Sequence, residues 1–213
     1  SSLRTINECA FYNCKSLSSM NLPASLENIA KYSFCGTTAL QTVVIPDNVT
    51  TIGIYAFYGS AVKNLTFGTG LEVIGYYSFA ETASLGSVVI PDNVKTLGAN
   101  VFYNSGISSV KIGSGIQTIP YQAFKSCDSL GNIEFSEGLN SIDSEAFNAC
   151  KSLLSIELPN SLLSIGQGAF AFCYGVKTID FGTGVTTIAK QAFANCTSLE
   201  AIEIPDSVQT IAD

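Results

Sequence analysis

The feature that most constrains this chain is a phenylalanine that returns at a fixed interval. Phe11, Phe34, Phe57, Phe79, Phe102, Phe124, Phe147, Phe170 and Phe193 follow one another at 23 or 22 residues. An unbroken period of that length means a stack of equivalent coils, because each unit is too small to bury a core alone and does so only against its neighbours. Residues 1–213 are therefore expected to form one elongated domain of about nine coils. The chain opens and closes inside a repeat, at Leu3-Arg4-Thr5-Ile6 and Val208-Gln209-Thr210-Ile211, so a segment cut from a longer protein is expected.

Within a coil the apolar spacing changes in a set order. From Leu130 the chain reads Leu130-x-x-Ile133-x-Phe135, then Leu139 and Ile142, then Ala146-Phe147. The pair at i+3 and i+5 has period two, the mark of a short strand. Leu40, Val43, Ile45, Val49 and Ile52 repeat the pattern, as do Leu199, Ile202, Ile204, Val208 and Ile211. Strands at the same place in successive coils run parallel, so a stack of such strands at ~4.8 Å spacing predicts one sheet roughly 40 Å long. Two kinds of turn end the strand. Pro at 23, 46, 91, 159 and 205 lacks a donor, and Gly at 68, 113 and 182 tolerates positive φ. The Ile-Gly-x-x-Ala-Phe segment that follows is too short for a regular helix and predicts a helical turn, with its Phe plugging the core between layers. The two 22-residue units lose their residue between Phe57 and Val62 and between Phe102 and Ile107, where a surface loop shortens without moving core positions.

The full unit, Leu-x-x-Ile-x-Ile-Pro-x-x-Val-x-x-Ile-Gly-x-x-Ala-Phe-x-x-Cys-x-Ser, is followed closely by residues 153–175 and closely resembles the BspA-like, treponemal-type leucine-rich repeat. The resemblance covers essentially the whole chain. It implies an α/β fold: a right-handed solenoid with a parallel β-sheet on the concave face and helical turns or irregular segments on the convex face. It also implies an exported, extracellular or cell-surface protein resembling an adhesin. The chain departs from the general leucine-rich repeat in lacking a full asparagine ladder. The position after the strand reads Ser25, Asn48, Gly70, Asn93, Gly115, Gly138, Ser161, Gly184 and Ser207, so turn hydrogen bonding must vary from coil to coil.

Composition removes several function classes. There is no histidine, which excludes imidazole bases, triads and the usual zinc ligand. A net charge of −7 argues against nucleic acid, whose phosphates demand a basic face. The apolar runs are too short to cross a bilayer. The acid is concentrated late: residues 1–126 carry seven basic and six acidic side chains, and 127–213 carry three and eleven. Of the seven cysteines, Cys14, Cys127, Cys150, Cys173 and Cys196 sit three residues after an anchor Phe, where other coils hold Thr37, Ser60, Thr82 and Ser105. A site that accepts Ser and Thr reads as a packing column of free thiols. Neighbouring Cα atoms at ~5 Å leave a disulfide geometrically open, whereas a straight column does not make a zinc tetrahedron.

Chemistry or recognition must therefore come from residues the repeat does not fix. The strand position i+4 points out of the sheet and reads Asn21, Val44, Thr66, Val89, Lys111, Glu134, Glu157, Asp180, Glu203. The last four are a line of carboxylates ~5 Å apart on the expected concave face. This line is a solvated acidic face, a groove for a cationic partner, or a weak Ca²⁺ site, and it is the candidate ligand-binding surface. Carboxylates at that spacing would suit a retaining glycosidase, but near-identical acids on an open face offer no distinct acid and nucleophile. No catalytic residue, metal site or cofactor is assigned. A second candidate patch is Tyr32, Tyr55 and Tyr77, two residues before successive anchors, with Tyr76 and Tyr121 one position earlier and Tyr12, Tyr58 and Tyr103 just after a Phe. The expectation is a non-enzymatic surface recognition or adhesion module that binds a protein or glycan, host-derived in an adhesin, through the concave sheet. The alternative is a structural spacer with no ligand of its own. No cap is visible at either end, which would favour end-to-end association.

Overall fold

The computed structural model describes residues 2–212; Ser1 and Asp213, the ends of the expected domain, lie outside the described residues. The chain winds as a stack of coils in which equivalent residues form columns. A single cluster of buried side chains runs from Ile6 to Ala192. The anchor rings form a continuous stack from Phe11 to Phe193, with centroids 5.0–5.6 Å apart and planes within 16° of parallel at every step. Phe34 through Phe170 are fully buried. Each such ring contributes ~1.5–3 kcal/mol by burial alone, and stacking adds to that.

All coils but the end ones carry strand backbone at two places rather than one. The expected strands are Thr42–Val44, Asn64–Thr66, Val88–Val89, Ser109–Lys111, Asn132–Glu134, Ser155–Glu157 and Thr178–Asp180, and all their pairings are parallel. At Asn21 and Glu203, in the end coils, no strand forms. A second column, two residues per coil, was not expected. It runs Thr5–Ile6, Asn28–Ile29, Thr51–Ile52, Val73–Ile74 and Thr96–Leu97, then Thr118–Ile119, Ser141–Ile142, Ser164–Ile165, Thr187–Ile188 and Thr210–Ile211. Its ladder includes a bond from the residue after the Ile to the previous Ile carbonyl, as in Gly98 to Ile74 at 2.7 Å and Asp143 to Ile119 at 2.9 Å. The break in this column falls where that donor would be Pro120, which has no N–H to give Leu97.

The first column is also not the single sheet expected. It is divided into three pieces: Thr42–Val44 with Asn64–Thr66; Val88–Val89, Ser109–Lys111 and Asn132–Glu134; and Ser155–Glu157 with Thr178–Asp180. Where the strand ends in Ile or Leu, that residue donates to the next coil: Ile45 to Thr66, Ile90 to Lys111, Ile112 to Glu134 and Leu158 to Asp180, at 2.8–2.9 Å. Where it ends in Phe67, Phe135 or Phe181, the sheet stops. Each of these rings turns edge-on to the anchor ring of its own coil, at 5.6–5.8 Å from Phe79, Phe147 and Phe193. The extra bulk takes room that Ile or Leu leaves, and the strand end loses its bond to the next coil.

The α part of the expected fold class is corrected outright, since no helix occurs among the described residues. In place of a helical turn, the residues two before and two after each anchor Phe adopt left-handed backbone. Fifteen non-glycine residues among those described have φ between 50° and 62°, Tyr32, Tyr55, Tyr77, Asn100, Gln122 and Glu145 among them. Alternation of right- and left-handed residues swings every second N–H out of the coil. Tyr55, Phe57 and Gly59 donate to Tyr76, Ser78 and Ala80 of the next coil at 2.8–3.0 Å, while Ala56, Tyr58 and Ser60 close turns within their own. An α-helix points its N–H groups along its own axis and would leave the coils unjoined here. Left-handed backbone costs ~1–2 kcal/mol per non-glycine residue, and the intercoil ladder offsets it.

Candidate functional site

Three of the four acids fall in one groove. Glu134, Glu157 and Asp180 line a cavity of about 600 Å³ together with Asn132, Phe135, Glu137, Leu158, Asn160 and Thr183. The groove straddles the sheet break after Phe135, and the bulky strand end that parts the two coils helps open it. Asp180 also lines an adjoining cavity with Phe181, Pro205 and Glu203, at the break after Phe181. Glu203 thus meets the line through a neighbouring recess and stands outside any strand.

The acids are not equivalent. Glu134 lies in register with Lys111 and forms an ion pair with it. That contact raises the Lys111 pKa through the hydrogen bond and charge of Glu134. Asp180, in register with Glu157, accepts the Gly182 amide on Oδ1 at 2.9 Å, which ties it to its own turn. The Glu157 side chain is exposed, with no hydrogen bond or ion pair to its carboxylate among the described residues, and is the carboxylate most available to a ligand. Among the described residues no three of His, Cys, Asp and Glu converge as a metal would require.

The groove wall is a part of the site that the spacing did not reveal. Glu137 accepts the Asn160 and Ser161 amides on separate oxygens at 3.1 and 3.0 Å, and Asn160 Oδ1 accepts the Thr183 amide and hydroxyl at 3.1 and 3.0 Å. Asp47 accepts the Thr69 amide and hydroxyl in the same way, and Asp92 accepts the Ser114 amide. For Asp92 the Ser114 hydrogen bonds lower its pKa. In the other direction Asn48 and Asn93 donate to the carbonyls of Ala24 and Thr69. A patchwork of acceptors and donors replaces the asparagine ladder. Its signal was present in the acidic or amide residue after Pro46, Pro91, Ser136 and Pro159.

The tyrosines meet, but mainly one another. Tyr32, Tyr55 and Tyr77 stack face to face at 5.0 and 4.9 Å, Tyr12 packs edge-on against Tyr32, and Lys31 Nζ lies 4.9 Å from the Tyr32 ring centroid. Their faces are largely consumed within the stack, and edges and hydroxyls remain for contact. Burial, then Tyr77 and Tyr32, raise the Tyr55 pKa. Beyond Tyr77 the same column turns polar. Asn100 donates to Gln122 at 2.8 Å, Gln122 to Glu145 at 2.9 Å, and Lys125 pairs with Glu145.

All seven cysteines are free thiols. Cys127, Cys150, Cys173 and Cys196 each donate to the anchor carbonyl one coil back, Phe102, Phe124, Phe147 and Phe170, at 3.1–3.3 Å. Burial pushes Cys127 up to about 12 and Cys196 up to about 11, which makes these poor nucleophiles at neutral pH.

Comparison with known proteins agrees with this architecture. A leucine-rich cell surface protein from Faecalibacterium prausnitzii is 27% identical over 96% of this chain, with a TM-score of 0.52, and this chain spans 64% of that protein. The Treponema pallidum leucine-rich repeat protein is 25% identical over 80% of this chain and 72% of its own, with a TM-score of 0.56. A leucine-rich repeat protein from Eubacterium ventriosum shares the fold at 15% identity, covering 100% of this chain and 87% of its own, with a TM-score of 0.59. No curated protein matches. The BspA type leucine rich repeat region matches residues 1–107 and 95–213, in six copies. The chain belongs to the BspA-type leucine-rich repeat family.

Proposed function

We propose that this chain is a recognition module of a bacterial surface protein, and that it binds a partner protein or glycan through the face that carries Glu134, Glu157, Asp180 and Glu203. The observation that supports this most is the groove at the sheet break, where three of these acids line one cavity and, among the described residues, only Glu134 of the three has a cationic partner. Such a groove suits an extended segment bearing Lys or Arg, attracted by a field that salt screens. Isothermal titration with a basic decapeptide at low ionic strength is the test. We expect binding that weakens with added NaCl and falls about tenfold in a Glu157→Gln/Asp180→Asn double variant, as the loss of charge-assisted hydrogen bonds implies. Binding untouched by the double variant would sink this reading.

One observation favours the second reading, a spacer. The unbroken anchor stack and the intercoil ladder make a stiff rod, suited to holding another domain at a distance. A protein that binds neither basic peptides nor glycans would leave that role.

A further inference from the structure

A second recess lies on the other column of strands and shares no lining residue with the acidic groove. It has a volume of about 340 Å³ and is lined by Tyr121, Asp143, Ser144, Ser164, Gly166, Thr187 and Ala189, with Ile142 and Ile165. The sequence explains the space. Asp143 stands in the column that reads Gly98, Pro120, Asp143, Gly166 and Ala189, so no coil nearby sends out a long side chain to fill it. Gly166 is required for this closeness, since a Cβ there would lie 2.6 Å from the Asp143 carbonyl carbon. Tyr121, 46% exposed, forms part of the lining.

The chemistry of this lining has one sign. Asp143 has no hydrogen bond or ion pair to its carboxylate among the described residues, and partial burial raises its pKa. The other polar groups are the hydroxyls of Ser144, Ser164 and Thr187, and the Tyr121 ring face is electron-rich. No cation is among the residues that line the recess; Lys190, which follows Ala189 in the chain, is not one of them. The backbone amides of Asp143, Gly166 and Ala189 are already spent on Ile119, Ile142 and Ile165. An anion would be repelled, and a neutral sugar would leave the carboxylate uncompensated. A primary ammonium on an aliphatic stem satisfies every group: an ion pair to Asp143, hydrogen bonds to the hydroxyls, and methylenes or the charge itself against the ring.

We propose that this recess binds an alkylammonium group, as carried by a lysine side chain or a free diamine, through Asp143 and Tyr121. The test is an ¹H–¹⁵N NMR titration of the whole chain with Nα-acetyl-lysine-N′-methylamide and, separately, 1,4-diaminobutane. Saturable shifts are expected at the amides of Asp143, Ser144, Gly166 and Ala189, and the tighter probe identifies the source. Asp143→Asn should weaken binding about tenfold and Tyr121→Ala roughly threefold, with Tyr121→Phe close to wild type. Asparagine already stands in this column at Asn7, so the fold should tolerate the first change. The Glu157→Gln/Asp180→Asn variant should leave these shifts intact, which keeps this site independent of the acidic groove. Absence of saturable shifts, shifts unchanged in Asp143→Asn, or equal shifts with methyl glucoside would overturn the assignment.

Discussion

The smallest unit of this fold is a residue held in left-handed backbone on each side of an anchor Phe. Asn, Gln, Glu and Tyr occupy those positions without the freedom of glycine, so each carries a conformational cost that the intercoil hydrogen bond offsets. Ala149, with φ of 61°, gives a direct check. In a helical turn Ala149→Gly would destabilise by ~1 kcal/mol; here it should stabilise by about 0.5–1 kcal/mol, because glycine removes the steric cost. Urea denaturation measures the sign. The thiol column makes a second residue-scale prediction. A folded pKa of about 12 for Cys127 lies above its unfolded value of ~8.5. Its contribution to stability is therefore fully present below the unfolded pKa and is lost as pH rises toward the folded one. Thermal melts between about pH 8 and 11 should fall less steeply for Cys127→Ser, whose residue type the column already carries at Ser60 and Ser105. Parallel curves for the two proteins would refute the assignment.

At the scale of the element, the sheet pieces are set by which residue ends a strand. Phe135→Ile should restore the pattern of Ile90 and Ile112. The amide of residue 135 is then expected to bond to the next coil and exchange with solvent at least tenfold more slowly, by the local-opening logic of native-state exchange. No change in exchange would mean that bulk is not what breaks the ladder. The sequence made the anchor column, the first strands and the turn positions legible, because an apolar residue marks the anchor and strand positions in all nine coils and Pro, Gly or Ser marks the turns. The second strand column went unseen because two residues with a single buried Ile show no alternation. The helical turn was misread because Ala-Phe beside small residues fits a helix equally well, and nothing local announces left-handed Tyr or Gln. Of the site, the line Glu134, Glu157, Asp180 was readable from strand period alone. Its opening depends on Phe135 and Phe181, whose effect appears only when coils stack, and its wall depends on Glu137 and Asn160 reaching into the next coil.

The molecule as a whole is a rod whose core is nearly invariant along its length and whose surface is not. Toward the N-terminal end the strand face shows Val44 and Val89, each 60% exposed; toward the other end it shows carboxylates. The polarity comes from positions the repeat leaves free, so the surface can vary along a scaffold whose inner core does not. No helix among the described residues is long and apolar enough to span a membrane. The most direct measurement is amide-resolved NMR of the chain titrated with the basic decapeptide at low salt. We predict perturbations concentrated in residues 132–137, 155–160 and 178–183, fading with added NaCl. Perturbations confined to Tyr32, Tyr55 and Tyr77, or spread without preference along the rod, would contradict recognition through the acidic groove.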